Sequence, residues 1–194
     1  SKLSPKETVV LSAGMMVAGY ETTSNVMGSV LHLLLRHPKW VAEIRATPER
    51  VVPITEEIMR YICGNGTGGV PHVAMEDFPL PSGAVIREGE VVVPVPDAAN
   101  RDPAVFDQPK CMNPDRDASP HVVFGFGRHY CLGAELARLE MQIGVQLFVD
   151  RFPHATVTVS DDELHWRHAM FVRGLWGLPV ALTPDRADTA PASS

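Results

Sequence analysis

The chain has 194 residues, 45% of them hydrophobic and 21% charged, and its formal net charge is −6. This length can bury the core of one sizeable domain. The acidic balance argues against nucleic acid as the main partner, because phosphate binding needs clustered Lys and Arg. The longest apolar run, residues 9–19, is too short to cross a bilayer, so no membrane association is expected. Three widely spaced cysteines predict reduced thiols in a cytoplasmic protein, not a disulfide framework or a zinc site.

The first predicted element is a long helix. The sequence Ser4-Pro5-Lys6-Glu7 is a capping box with proline at the first helical position, so the helix should begin at Pro5. No residue breaks it firmly before Pro38, which allows a helix about 45 Å long. It is apolar nearly all round over 9–18, so we expect its middle to be buried on several sides. Such burial requires more protein than this chain obviously supplies.

Shorter elements follow. Two further helical patterns lie at 39–46 and 54–62. Residues 64–70 are rich in glycine and should form irregular backbone. Strand signals are short and lie at 70–74, 84–86, 91–95, 155–159, 168–175 and 178–182. The stretch 97–120 is rich in Pro, Asp and Asn and lacks periodicity, and a loop of that length usually has a function.

The last helix is predicted over 132–152. Its apolar residues at core spacing are Leu132, Leu136, Leu139, Ile143 and Leu147. Pro153 should end it. The tail, 184–194, is poor in hydrophobic residues and is predicted to be disordered.

A single cysteine stands among glycines just before this last helix, in the sequence FGFGRHYCLG from Phe124 to Gly133. Glycines permit a tight backbone path and let a flat ligand lie against it. Because Cys131 lies near a helix N-terminus, unsatisfied N–H groups there favour a thiolate. Such a thiolate can be a nucleophile or a metal ligand. A buried structural cysteine is the plainer alternative.

A second pattern lies within the first helix. Gly14, Ala18 and Thr22 recur every four residues and therefore share one face, where small residues would let a cofactor and O₂ approach the backbone. The adjacent Glu21 and Thr22 could bind water and relay protons. A solvent-facing polar stretch is the alternative.

A third pattern is the pair Glu57 and Arg60. Their spacing places both side chains on one helix face, where they can form an ion pair. Most such pairs are surface salt bridges that contribute little to stability.

The motif Phe-Gly-x-Gly-x-His-x-Cys-Leu-Gly resembles the haem-binding loop of the cytochrome P-450 family, the haem-thiolate monooxygenases. The segments AGYETTS, EEIMRY and AANRDPAVF match the family at three further places. The resemblance covers about residues 3–183. It implies a mainly α fold with small β-sheets, present as the C-terminal half from the long central helix onward. Residues 1–183 would then be the haem-binding half of one domain.

The resemblance also assigns roles to individual residues. It implies that Cys131 is the proximal thiolate ligand of the iron of haem b, which promotes O–O cleavage. Phe124 would pack beside the sulfur, and His129 would bond a haem propionate. Glu21 and Thr22 would manage proton delivery, and Glu57 and Arg60 would have a structural role. The remaining residues expected to approach the haem are Gly125 and Ala18.

The sequence departs from the family pattern at two places. His72 stands where an arginine usually contacts a propionate; a histidine can still donate a hydrogen bond, and a plain surface histidine is the alternative. Cys111 and Met112 stand where Arg-Phe is typical, which weakens the third partner expected for Glu57 and Arg60. Arg116 could substitute.

The function implied by the resemblance is oxidation of a small organic substrate, by hydroxylation or coupling, with O₂ and two external electrons. The implied partners are a ferredoxin- or flavodoxin-type electron donor and the N-terminal half of the same fold. The motifs resemble soluble bacterial members that act in natural-product metabolism. Two alternatives stay open: a haem-binding module without oxygenase activity, and an enzyme with Cys131 as nucleophile, which would be alkylated stoichiometrically and carry no pigment.

Overall fold

The computed structural model describes residues 2–62, 69–167 and 173–183. As predicted, the fold is mainly α-helical with small antiparallel sheets. The helices of the described residues are α1 (Pro5–Leu35), α2 (Pro38–Ala46), α3 (Val51–Ile62), α4 (Pro96–Ala99) and α5 (Ala134–Arg151). Single 3-10 turns lie at Pro48–Arg50, Gly127–His129 and Asp161–Glu163.

The strands form two-residue antiparallel ladders. The strands are β1 (His72–Val73), β2 (Phe78–Pro79), β3 (Val85–Ile86), β4 (Val91–Val92), β5 (Thr156–Val157) and β6 (Val180–Ala181). β1 pairs with β4, β2 with β3, and β5 with β6. The registers are His72 with Val92, Phe78 with Ile86, and Thr156 with Ala181. Five of these six strands lie within predicted strand regions and are shorter than predicted, whereas β2 was not predicted.

The predicted start of α1 is confirmed. The Ser4 hydroxyl accepts the Glu7 N–H, and the Glu7 carboxylate accepts the Ser4 N–H at 2.8 Å. Pro5 occupies the first turn, where its missing N–H costs nothing. At the other end, α1 stops at Leu35 and Pro38 opens α2, so the predicted break also holds.

The core lies where the C-terminal half of α1 meets α2, α3 and α5. Its members without exposed surface are Val30, Leu34, Ile44, Ile54, Ile58 and Val145. Burying one such side chain contributes about 1.5–3 kcal/mol to folding. This core fixes the relative placement of α1 and α3, which carry predicted site residues, and of α5, which follows the loop that carries Cys131.

The expected burial of the middle of α1 is not observed. Val9, Met16 and their neighbours in the N-terminal half of the helix are exposed, by 69% and 75% for these two. The capping box and the helix propensity of these residues act locally, so they specify the helix without specifying what covers it. No other described element packs against this half of α1.

The predicted core face of α5 is wrong. Leu132, Leu136, Leu139, Ile143 and Leu147 are all exposed. The buried face instead carries Met141, Val145 and Val149, and a Cβ built on Gly144 would lie 2.6 Å from Met27 Cε, so glycine permits close contact with α1. The helix has apolar residues on two faces, and periodicity alone does not identify the one that meets the core.

Some predicted segments lie outside the described residues. They are 64–68 of the glycine-rich stretch, 168–172 of one predicted strand, and the whole of the tail 184–194. Near the second of these, Trp166 and Leu175 form an isolated antiparallel bridge. No helix within the described ranges is long and apolar enough to cross a membrane.

Candidate functional site

The loop before α5 presents a cysteine at the surface. Cys131 is a free, exposed thiol, and its N–H donates to the Phe124 carbonyl at 2.8 Å. The Cys131 carbonyl accepts the Ala134 N–H at 3.3 Å, which leads directly into α5. The cysteine is therefore anchored through its backbone on both sides, while its side chain stays accessible.

Two glycines give this loop its shape. Gly125 has φ +76° and Gly127 has φ +69°, both in the left-handed region where a side chain is disfavoured. The Gly125 N–H donates to the Val122 carbonyl at 3.0 Å, and the Tyr130 N–H donates to the Gly127 carbonyl at 3.0 Å. The glycines noticed in the sequence thus form two successive turns before the cysteine.

The two histidines expected at the propionates lie side by side. The ring centroids of His72, on β1, and His129, in the 3-10 turn, are 6.4 Å apart, and both residues are exposed. Two imidazoles at this separation could both donate to one anionic group between them. The β1–β4 ladder therefore brings His72 to the loop, although 57 residues separate them in the sequence.

Phe124 lies inside a network of charged side chains. The Arg138 guanidinium carbon is 4.6 Å from the Phe124 ring centroid, and the His121 ring centroid is 6.0 Å away. Arg138 Nε donates to Glu56 Oε1 at 2.9 Å, and His121 Nε2 lies 2.8 Å from Glu56 Oε2. The sequence reasoning missed Glu56, whose signal was its position next to Glu57 on one helix.

In α1, the predicted proton-relay residues are tied to the helix backbone. The Thr22 hydroxyl donates to the Ala18 carbonyl at 2.6 Å, and the Asn25 amide donates to the Glu21 carbonyl at 2.7 Å. A Cβ built on Gly14 would meet no atom within 4 Å, so the face that Gly14 shares with Ala18 and Thr22 is open at Gly14. Asn25 is a buried polar residue that the sequence reasoning missed, although it lies one helical turn after Glu21.

The predicted pair in α3 is present, and it is buried rather than exposed. Arg60 donates to both carboxylate oxygens of Glu57, at 2.7 and 2.9 Å, and neither side chain has exposed surface. Arg116 Nε also donates to Glu57, at 3.0 Å. Arg60 reaches further to the Asn100 and Pro109 carbonyls. The pair therefore fastens α3 to the loop 97–120 and belongs to the architecture, not to the reactive surface.

The α1 residues and the cysteine loop are separate in the described structure. Among the described residues, no hydrogen bond joins Glu21 or Thr22 to the loop from Phe124 to Cys131.

The donor set fits a haem. No group of three or more potential metal ligands occurs among the described residues. Around the thiol, Phe126 and Leu132 are almost fully exposed and offer apolar contacts. The paired histidines offer donors to carboxylates. A flat, apolar macrocycle with an anionic edge would match this combination, with Cys131 as a ligand to its metal.

Known proteins are similar to this chain in sequence and in fold. The family model of cytochrome P-450 matches residues 1–174. The polyketide biosynthesis cytochrome P-450 PksS of Bacillus subtilis (strain 168) is 40% identical over 187 residues, which are 94% of this chain and 45% of that protein. The mycinamicin IV hydroxylase/epoxidase of Micromonospora griseorubida is 37% identical over 179 residues, with 92% and 45% covered.

A solved structure agrees with this match. A mutant of the mixed-function MycG, in complex with mycinamicin V, is similar with a TM-score of 0.87 at 36% identity, over 93% of this chain and 46% of that one. The chain spans about half the length of the curated relatives it matches. Sequence, fold and loop thus agree, and the chain belongs to the cytochrome P-450 family.

Proposed function

We propose that the protein containing this chain is a haem-thiolate monooxygenase in which Cys131 ligates the iron of haem b. The observation that carries the proposal is Cys131, which lies just before α5 in a loop with the family's motif. Its thiol is exposed, and its backbone N–H donates to the Phe124 carbonyl. When bound, the haem would supply O₂ activation, with electrons from a ferredoxin- or flavodoxin-type donor. Residues 1–183 would form the C-terminal, haem-binding half of the domain.

The propionates would be held by the two histidines. His129 and His72 lie close enough to donate to the same anionic edge. Gly125 and Ala18 would let the macrocycle approach the backbone, and Phe124 would pack near the sulfur. His72 in place of an arginine would donate hydrogen bonds without a permanent charge.

Proton delivery would fall to Glu21 and Thr22. The Thr22 hydroxyl donates a hydrogen bond to the Ala18 backbone carbonyl, and the Asn25 side-chain amide donates one to the Glu21 backbone carbonyl. A hydroxyl and a carboxylate on an open helix face can bind water and pass protons from solvent. Loss of Thr22 should therefore lower product formation more than it lowers haem binding.

The substrate would be a small natural product of the polyketide kind. One relative, PksS, is named for polyketide biosynthesis, and another is named as a hydroxylase/epoxidase of mycinamicin IV. The reaction would be hydroxylation or coupling, in the cytoplasm. An N-terminal half of the same fold would cover the exposed apolar faces of α1 and α5, since large exposed apolar patches mark interfaces.

The test is the absorption spectrum of the haem-loaded protein, reduced and exposed to carbon monoxide. The full natural polypeptide that contains these residues should show a strongly red-shifted thiolate band, and Cys131→Ala should lose it. The spectrum of the chain 1–194 alone would show whether this half holds haem without further helices.

Other outcomes would identify other functions. A thiolate band without turnover of polyketide substrates, even with reductant and donor, would indicate a haem-binding module. The absence of pigment together with stoichiometric alkylation and loss of an activity would indicate a cysteine nucleophile. Either result would overturn the monooxygenase proposal.

A further inference from the structure

Glu56 connects the two segments that enter and leave the cysteine loop. Its two carboxylate oxygens have different partners: Oε2 lies 2.8 Å from His121 Nε2, and Oε1 accepts from Arg138 Nε at 2.9 Å. His121 precedes the loop in the sequence, and Arg138 follows it in α5. One carboxylate on α3 therefore joins both ends of the loop that presents Cys131.

Both partners of Glu56 also lie against Phe124. The Arg138 guanidinium carbon is 4.6 Å from the ring centroid, within cation–π range, and the His121 ring is 6.0 Å away. The carbonyl of the same Phe124 accepts the Cys131 N–H at 2.8 Å. Arg138 also donates to the Tyr130 hydroxyl at 3.1 Å. A displacement of the Phe124 ring would therefore move the backbone group that holds Cys131.

The side chains of this network are largely shielded from solvent. The His121 side chain is 1% exposed and that of Glu56 is 16% exposed. Burial acts to raise the pKa of the Glu56 carboxyl, but the hydrogen bond with His121 and the charge of Arg138 outweigh it, so the pKa lies below its usual range. Glu56 is therefore a carboxylate, and charge-assisted hydrogen bonds are about twice as strong as neutral ones.

We propose that Glu56 is a positioning residue for the Cys131 thiolate. Through His121 and Arg138 it holds the Phe124 ring, and through the Phe124 carbonyl it fixes the direction in which Cys131 presents its sulfur to a metal. The inference rests on the proposed function, in which that metal is haem iron. Glu56 is distinct from the neighbouring pair Glu57 and Arg60, which contacts the loop 97–120 instead.

The deciding comparison is between Glu56→Gln and Glu135→Gln in the full, haem-loaded protein. Both carboxylates pair with Arg138, but the Glu135 side chain is 84% exposed, and among the described residues its carboxylate bonds only to Arg138. The rate at which the thiolate band of the reduced carbon monoxide complex converts to the blue-shifted form reports on thiolate ligation. Loss of a partner around a metal ligand typically costs about tenfold or more in metal affinity. We expect Glu56→Gln to accelerate the conversion about tenfold and Glu135→Gln to leave it unchanged.

A second readout does not need haem. In apoprotein with Cys63 and Cys111 replaced by serine, the rate of Cys131 alkylation should rise several-fold in Glu56→Gln and stay constant in Glu135→Gln. Thermal unfolding of both variants would show whether a general loss of stability explains the change. If it does, or if Glu56→Gln matches the unaltered protein in both rates, the positioning role is overturned.

The experiments test the haem-thiolate proposal and the positioning role of Glu56 independently. If the unaltered protein has no thiolate band, the haem-thiolate proposal fails, and the alkylation rates still decide whether Glu56 positions Cys131. If the band is present and its rate of conversion is the same in Glu56→Gln as in the unaltered protein, the haem-thiolate proposal stands and the positioning role is overturned.

Discussion

Arg116 binds the same Glu57 carboxylate that Arg60 binds from within α3. Arg116 Nε lies 3.0 Å from Glu57 Oε1, and its other guanidinium nitrogens reach the backbone carbonyls of Asp107, Gln108 and Cys111. The family pattern has an arginine at the position of Cys111 as the third partner of Glu57 and Arg60. In this chain Arg116, five residues later, makes the contact with Glu57. This agrees with the expectation that Arg116 could substitute. The guanidinium groups of Arg60, Arg101 and Arg116 all fasten the loop 97–120 to α3.

The first prediction concerns the rank order of Arg60 and Arg116. Arg60→Ala would leave Glu57 buried with its strongest partner removed, and breaking a buried ion pair typically costs about 3–5 kcal/mol. Arg116→Ala leaves the bidentate Arg60 contact in place, so the loss should be nearer about 1–3 kcal/mol. Urea unfolding of the full protein measures both.

The matched control for these arginines is Arg87→Ala. Arg87, which follows β3, pairs with Asp77, which precedes β2, but both side chains are more than half exposed. Exposed ion pairs contribute little, so the free energy of unfolding should hardly change. Equal effects of Arg87→Ala and Arg60→Ala would contradict the view that Glu57 and Arg60 are structural.

The second prediction concerns pH. The pKa of the Asp161 carboxyl is held below its ordinary value of 3.8, first by the hydrogen bond with His32 and then by that with Arg36. A lowered pKa in the folded state means that the unfolded state binds more protons as the pH falls. The contribution of Asp161 is therefore complete above 3.8 and is lost as the pH falls through its lower folded value.

The measurement is the Tm of the protein and of Asp161→Asn across pH. The difference between them should shrink as the pH falls below the ordinary carboxyl range. Asp161 joins the 3-10 turn after β5 to the C-terminal end of α1, so the variant should loosen that junction. A difference that grows toward low pH would contradict the assigned direction.

Local patterns predicted local features well. The capping box placed the start of α1 at Pro5, the spacing of Glu57 and Arg60 predicted their pairing, and the glycines of the cysteine loop predicted its turns. Each of these features depends on residues within a few positions of one another. At such short separations, backbone geometry alone limits which conformations and contacts can form.

Features that depend on distant segments were not predictable in this way. The exposed face of α5 looked like a core face because the sequence does not say which apolar stripe meets α1 and α3. The contact of Glu56 with His121 spans 65 positions, and that with Arg138 spans 82, so no periodicity could reveal them. The strands are only two residues long, shorter than predicted, because each needs a partner strand in register. Strand pairing is also a long-range property.

The third prediction concerns Gly174. A Cβ built there would overlap Asn25 Oδ1, and Asn25 holds the Glu21 carbonyl through its amide. Gly174→Ala should therefore displace Asn25 and destabilise the fold by about 1–3 kcal/mol. Gly177→Ala is the control, because a Cβ there meets no atom within 4 Å. Chemical denaturation measures both, and equal midpoints would show that Asn25 moves aside without cost.

The fourth prediction separates the two faces of α5. Val145→Gln places a polar group in the core and should destabilise this chain and the full protein alike, by several kcal/mol as is typical of unpaired buried polar groups. Leu147→Gln changes an exposed position of this chain, so the chain alone should unfold as before. If an N-terminal half covers that face, the full protein carrying Leu147→Gln should be clearly less stable. An unchanged full protein would show that this face of α5 stays uncovered.

The last prediction concerns the loop glycines and their bearing on metal ligation. Gly125 has φ +76°, a conformation that costs an L-residue about 1–2 kcal/mol, and a Cβ there would also lie 3.5 Å from the His129 carbonyl oxygen. Gly133, on the other side of Cys131, has φ −90°, and its Cβ would meet only the Cys131 sulfur, at an ordinary 4.0 Å. Gly125→Ala should therefore weaken haem retention and the thiolate band, while Gly133→Ala should largely keep both. Haem transfer to an excess of a haem-scavenging apoprotein measures retention. If both variants lose haem at the rate of the unaltered protein, the loop tolerates the strain, and the turn at Gly125 is not what presents Cys131.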